Sequence, residues 1–155
     1  MIEQLNQILR GLIERVNDSG WEDLTLSTYN TIWTVSRAAR ARKIGNLVQL
    51  QFTDIRTTGT ISTGGTRLVN ALSEEFRPDV QLEVPIIATP SSGLQFGGKA
   101  VVGTDGSVTI LAPSGGQYSP TYGISVNITY FVGGGYCKRV ISVLQNLFKS
   151  RRCAA

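Results

Sequence analysis

Apolar and polar residues alternate along most of the chain in short runs broken by glycine-rich turns. Val48, Leu50 and Phe52 fall on one face of an extended segment, and Gln49, Gln51 and Thr53 fall on the other. Gly45-Asn46 just before it permits a tight reversal. Residues 31–40 and 47–55 are therefore expected to form a hairpin. Short strands are also expected at Leu24-Thr25-Leu26 and over residues 67–72, ending before the stop at Pro78. Residues 57–65 read as a loop or weak edge strand. Leu82, Val84, Ile86 and Ala88 alternate with Pro85 on the opposite face, which points to an edge strand or a bulge. A strand over 96–102 leads to the turn Thr104-Asp105-Gly106-Ser107, and Val108 and Ile110 resume the alternation. Ile124, Val126, Ile128, Tyr130 and Val132 mark the last strand. About eight short strands imply a mainly β, jelly-roll-like sandwich or barrel head.

Both ends depart from this period. Ile2, Leu5, Leu9, Leu12 and Val16 are spaced alternately by three and four residues, as in a coiled-coil seam, with Ile8 and Ile13 widening the stripe. So short a helix is marginal in water and needs a partner, either its own β domain or a parallel bundle of several chains. At the other end, Val140, Val143, Leu144, Leu147 and Phe148 follow a helical period after the hinge Gly133-Gly134-Gly135. The organisation read from the sequence is an oligomerisation helix and linker over 1–20, a β head over 21–132, and a hinge with a cationic amphipathic tail helix over 133–155. Docking within the oligomer ranks first for that tail, a partner protein second and an anionic membrane third.

Charge sharpens this division. The net charge is +4, but residues 136–155 hold Lys138, Arg139, Lys149, Arg151 and Arg152 and no acid. The remainder balances ten cations against eleven acids. The basic character belongs to the tail, and the head has no footprint for nucleic acid. No apolar run is long enough to span a bilayer, and the charged first helix is unlike a removable leader. Cys137 and Cys153 flank the tail helix, too far apart along it for an internal bridge. They read as free thiols, with a bridge between subunits as the alternative.

The chain contains no histidine, which removes the commonest general base and metal ligand. Glu22-Asp23 and Glu74-Glu75 are adjacent pairs that point to opposite faces of a strand, so neither shares a substrate. No phosphate-binding glycine loop occurs, and no cofactor, metal site or enzymatic activity is expected. Asn127-Ile128-Thr129 fits the glycosylation pattern inside an expected strand and reads as chance.

What remains is a set of aromatic and polar residues that could hold a sugar, through ring faces against C–H patches and charged groups against hydroxyls. Tyr118 and Tyr122 in the Gly/Ser/Pro loop, with Asp105 at a hairpin tip, are the first candidates for saccharide binding. Trp33 and Arg56 join them. Trp21 and Trp33 have a core alternative, and Tyr29 belongs to the wider set.

The order of motifs resembles a known family. Trp21 opens the domain, Arg42-Lys43-Ile44-Gly45-Asn46-Leu47-Val48-Gln49-Leu50 makes a hairpin, and Leu72-Ser73-Glu74-Glu75-Phe76-Arg77-Pro78 makes a stop. Thr104-Asp105-Gly106-Ser107-Val108-Thr109-Ile110 makes a second hairpin. Together, over about residues 21–132, they resemble the C-terminal head domain of bacteriophage receptor-binding and tail-fibre proteins, such as those of phages infecting Gram-positive bacteria. The resemblance implies a homotrimer of heads on a stalk, placed in the tail or baseplate of a virion with other tail proteins. It also implies binding of host cell-wall saccharide, often near subunit boundaries, without chemistry on it. Heads of that family often use a His, Trp and Asp cluster. This chain has no histidine, the segment Val108–Leu111 offers only Thr109 as an exposed polar residue, and no binding residue transfers from the family. The alternative reading is a structural virion component of the same fold, and a weaker one is a carbohydrate-binding module of an enzyme.

Overall fold

The computed structural model describes residues 2–28, 33–90, 93 and 96–133. The expected tail helix, Cys137, Cys153 and Tyr29 lie outside the described residues. The chain opens with helix α1 (Ile2–Val16) and continues through β1 (Glu22–Asp23), β2 (Trp33–Ile44), β3 (Leu47–Thr57) and β4 (Thr66–Val69). A 3-10 turn (Glu74–Phe76) precedes β5 (Leu82–Thr89), β6 (Phe96–Val102), β7 (Val108–Leu111) and β8 (Gly123–Phe131). The expected strand at Leu24–Leu26 does not form; the short β1 lies just before it and ends at Asp23.

All eight strands belong to one antiparallel sheet in the order β1-β2-β3-β8-β5-β6-β7-β4. The sheet is curled into a half-barrel. β8 meets β5 only over Ile87, Ala88 and Thr89, while it pairs with β3 along most of its length. Beyond that short junction the two halves separate, as the layers of a sandwich do, and one hydrophobic core fills the space between them. Val48, Leu50, Phe52, Val126 and Ile128 enter it from one half, and Ala88, Ala100, Val102, Val108 and Ile110 from the other. These are the apolar members of the period-2 runs, buried because alternate residues share a face. Pro85 lies where β5 has a ladder on one side only, which is where a residue without an N–H is tolerated.

The free edges of the curled sheet are tied together. Leu24 N donates to Ala39 O on β2, and Ser27 N donates to Leu68 O on β4, both at 2.8 Å. Trp33 Nε1 reaches across to Arg67 O at 2.8 Å. Stitching the edges in this way removes unpaired strand groups that would otherwise invite aggregation. Trp33 is therefore a core and closure residue, the alternative weighed for it above.

The segment after α1 is not a free linker. Gly45, with φ 58°, donates its N–H to Asn17 O at 3.0 Å. Ser19 N donates to Lys43 O at 2.8 Å, and Lys43 N donates to Ser19 Oγ at 3.0 Å. The β2–β3 turn thus grips the base of the helix. Val132 N also donates to Asn46 O at 2.9 Å, so the residue after β8 is held at this same turn. The apolar stripe of α1 remains exposed on the isolated chain, through Ile2, Leu5, Ile8, Leu9 and Ile13.

Between the two halves, the 3-10 turn inserts Phe76 into the core, and Tyr130 Oη donates to Phe76 O. Removing the hydroxyl leaves a buried carbonyl unsatisfied, at a cost of about 1–3 kcal/mol. Tyr130→Phe is therefore expected to lower the denaturation midpoint without changing its slope, and an unchanged midpoint would contradict that role. Burial also raises the Tyr130 and Tyr118 hydroxyls above their ordinary pKa of 10.0. For both, the unfolded chain ionises first. Their contribution is present in full below about pH 10 and is lost as pH rises toward the folded value. Alkaline melts should show stability falling from about pH 10 upward, and Tyr130→Phe should flatten that fall.

Candidate functional site

The structure separates the residues first expected to hold a sugar. Tyr118 is 1% exposed, and its hydroxyl donates to Gly97 O at 2.8 Å. A methyl group at Gly98 would collide with that hydroxyl, so the bare Gly98 makes room for the ring. Tyr122 is half-buried against the core, with its ring centroid 6.0 Å from that of Tyr118. Both rings serve packing, Tyr118 within the core and Tyr122 against it. Tyr118 and Trp33 present no face to a ligand. Asp105 is exposed on the β6–β7 turn, where its carboxylate accepts the Ser107 N–H at 2.9 Å. The Ser107 side chain and backbone, with Arg67 nearby, hold that carboxyl below its ordinary range. Strand register puts this turn at the end of the strands opposite to Tyr122, because Val102 pairs with Val108 there while Gly123 pairs with Thr89 at the far end. Tyr118, Tyr122 and Asp105 therefore do not form one site. Of the expected residues, Arg56 is exposed on the outer surface, with Nε 3.1 Å from Asp54 Oδ1.

Trp21, in contrast, faces outward, 39% exposed and outside the core. Its position follows from the edge pairing of Glu22 with Ala41 and Asp23 with Arg40. Ala39 and Ala41 point inward, so Arg40 and Arg42 point outward beneath the preceding strand. Their guanidinium carbons lie 4.4 and 4.7 Å from the Trp21 ring centroid. Each guanidinium is fixed in turn. Arg40 Nε donates to Gln51 Oε1 at 2.8 Å, and Arg42 Nε donates to Gln49 Oε1 at 2.6 Å. Arg42 also lies 3.7 Å from the Asp18 carboxylate. Each cation–π contact contributes about 0.5–1 kcal/mol at an exposed position, and two of them with two amide anchors orient the indole before any ligand arrives.

The pairing extends the pattern across the sheet. Arg42 is opposite Gln49 and Gln49 opposite Thr129; Arg40 is opposite Gln51 and Gln51 opposite Asn127. The outer face of β1, β2, β3 and β8 is thus a preset aromatic ring beside rows of guanidinium, amide and hydroxyl groups. Such a surface can stack on a sugar ring and donate and accept hydrogen bonds with its hydroxyls. Among the described residues no group of three His, Cys, Asp or Glu side chains could hold a metal ion. The sequence did carry part of this site. A two-residue turn that pairs Ile44 with Leu47 also pairs Arg42 with Gln49 and Arg40 with Gln51. Trp21 could not be placed over them, because β1 is only two residues long.

No family model and no curated protein sequence matches the chain. Solved structures do. The head domain of the lactococcal phage bIL170, described among receptor-binding domains of lactococcal phages, superposes with a TM-score of 0.58 at 14% identity. The match covers 73% of this chain and 97% of that one. The receptor binding protein gp15 of Listeria phage PSA superposes with a TM-score of 0.50, also at 14% identity, over 84% of this chain and 74% of that one. The fold of a phage receptor-binding head is therefore the fold of this chain.

Proposed function

We propose that this chain is a phage receptor-binding protein that attaches a virion to saccharide on the host cell surface, and that it works as a homotrimer. The fold it shares with phage receptor-binding heads supports the setting. The observation that carries the saccharide reading is Trp21, held exposed over Arg40 and Arg42 beside Gln49 and Gln51. The exposed stripe of α1 supports the oligomer, since Ile2, Leu5 and Leu9 keep the spacing of a parallel seam and find no cover on their own head. Attachment then comes from avidity. Weak sites on one rigid assembly, repeated over a particle, sum to tight adsorption without any one of them being strong. The protein binds its receptor and breaks no bond in it. Its place is the tail or baseplate, among other tail proteins, after synthesis in the host cytoplasm.

An array of bacterial cell-wall polysaccharides probed with the intact chain tests this reading. Retention on a subset of glycans, competed by the same glycan in solution, is the expected result. No retention on any of them would overturn it and leave the structural virion component as the account of the fold.

A further inference from the structure

Asp54 is the only non-glycine residue with positive φ among the described residues, at 51°. It occupies a place where two neighbouring ladders both slip. The β2–β3 register jumps between Val35 and Ala38, and the β3–β8 register jumps between Phe52 and Ile55. Two bulges at one level bend the strands and re-aim what they carry. Ser125 Oγ accepts the Asp54 N–H at 3.0 Å, replacing a lost ladder bond. A methyl group at Gly123 would collide with Asp54 Oδ1, so the bare glycine leaves the space that the carboxylate occupies. Arg56 Nε donates to that same oxygen at 3.1 Å. The two side chains remain 26% and 47% exposed. Ile87, paired with Ser125 from β5, adds an exposed apolar group on the far side of β8 from them.

Glycine would adopt this backbone at less cost than aspartate. Two bulges, a cleared glycine and a serine anchor instead hold a carboxylate and a guanidinium side by side at the surface. We infer that Asp54 and Arg56 form a second receptor contact that takes the vicinal hydroxyls of a saccharide. The carboxylate accepts from the hydroxyls, the guanidinium donates to them, and Ile87 packs on the adjoining C–H groups. This inference rests on the saccharide reading above and adds a subsite to it. From Gln51 beneath the Trp21 platform to Arg56 is five residues of β3, about 17 Å in an extended strand. Substitutions at the two places should therefore act independently.

The test measures melting temperature and array binding for the intact chain, Asp54→Gly, Arg56→Ala and Trp21→Ala. Asp54→Gly relieves the backbone and is expected to melt no lower than the parent, yet to bind the retained glycan roughly tenfold or more weakly. Arg56→Ala, at an exposed position, should lose a comparable factor with little change in melting. Asp54→Gly or Arg56→Ala binding as tightly as the parent would overturn the inference and reduce the pair to a structural bridge. If Trp21→Ala alone weakens binding, the subsite falls while the receptor reading stands. If the parent retains no glycan, both fall together.

Discussion

A chain with Leu5 and Leu9 both replaced by aspartate should run in solution as a 16.8 kDa monomer, whereas the parent should run at about three times that mass. The expectation rests on α1. Leu5 is 57% and Leu9 46% exposed on the isolated chain, and neither is covered by the head that follows. A helix of 15 residues is not stable in water through its own hydrogen bonds and needs tertiary cover. Burying a leucine contributes about 1.5–3 kcal/mol, and six of them in a trimer seam supply enough to hold three chains. Aspartate at the same positions would place charges together in an apolar seam, at a cost far above that gain. The head should keep its β signature, because its core draws nothing from this stripe. Light scattering decides the matter. A parent already monomeric, or a double variant that keeps the parent mass, would contradict the role given to α1.

Trp21→Ala should produce the second large effect, on binding and not on folding. The ring lies outside the core, and its removal frees Arg40 and Arg42 without exposing apolar interior. Loss of one aromatic platform costs about 1 kcal/mol per site. Three sites engaged on one receptor surface would multiply this to about a hundredfold in apparent affinity. Tyr118→Phe is the matched control. It removes only the hydroxyl that reaches Gly97 O, and should cost stability while leaving binding alone.

The fold was legible in the sequence where the pattern has a period. The alternation of Val48, Leu50 and Phe52, and of Ile124, Val126 and Ile128, gave the inward faces of β3 and β8 directly. The turns at Gly45-Asn46 and Asp105-Gly106 marked the reversals. The heptad spacing of α1 marked a helix, and the exposed stripe is the consequence. What periodicity does not carry is which aromatic residues are drawn inside. Tyr118 sits among glycine, serine and proline and so resembles a surface residue. Only the approach of a distant strand, with a bare Gly98 against the ring and the Gly97 carbonyl at its hydroxyl, shows that its ring is needed in the interior. A glycine inside a strand, Gly98, was the available signal, because it marks close approach by another group.

Trp21 illustrates the converse. A tryptophan at the start of a β domain suggests core, yet it precedes a two-residue strand on the sheet edge and its ring rests on two arginines. Asp54 was hidden for a different reason. Bulges come from mismatched strand lengths across three neighbours, which no single segment reveals, and a positive φ at aspartate leaves no mark in the residue order. Arg56 was visible as a candidate polar group, but its partner was not.

The central claim is that saccharide binds on the outer face around Trp21. Titrating the parent and Trp21→Ala, at equal trimer concentration, onto a surface densely coated with one array-selected glycan, where all three sites engage together, tests it most directly. The account predicts saturable binding by the parent and a loss of about a hundredfold in the variant, with the two proteins melting within a few degrees of each other. Equal affinity in the two would contradict it.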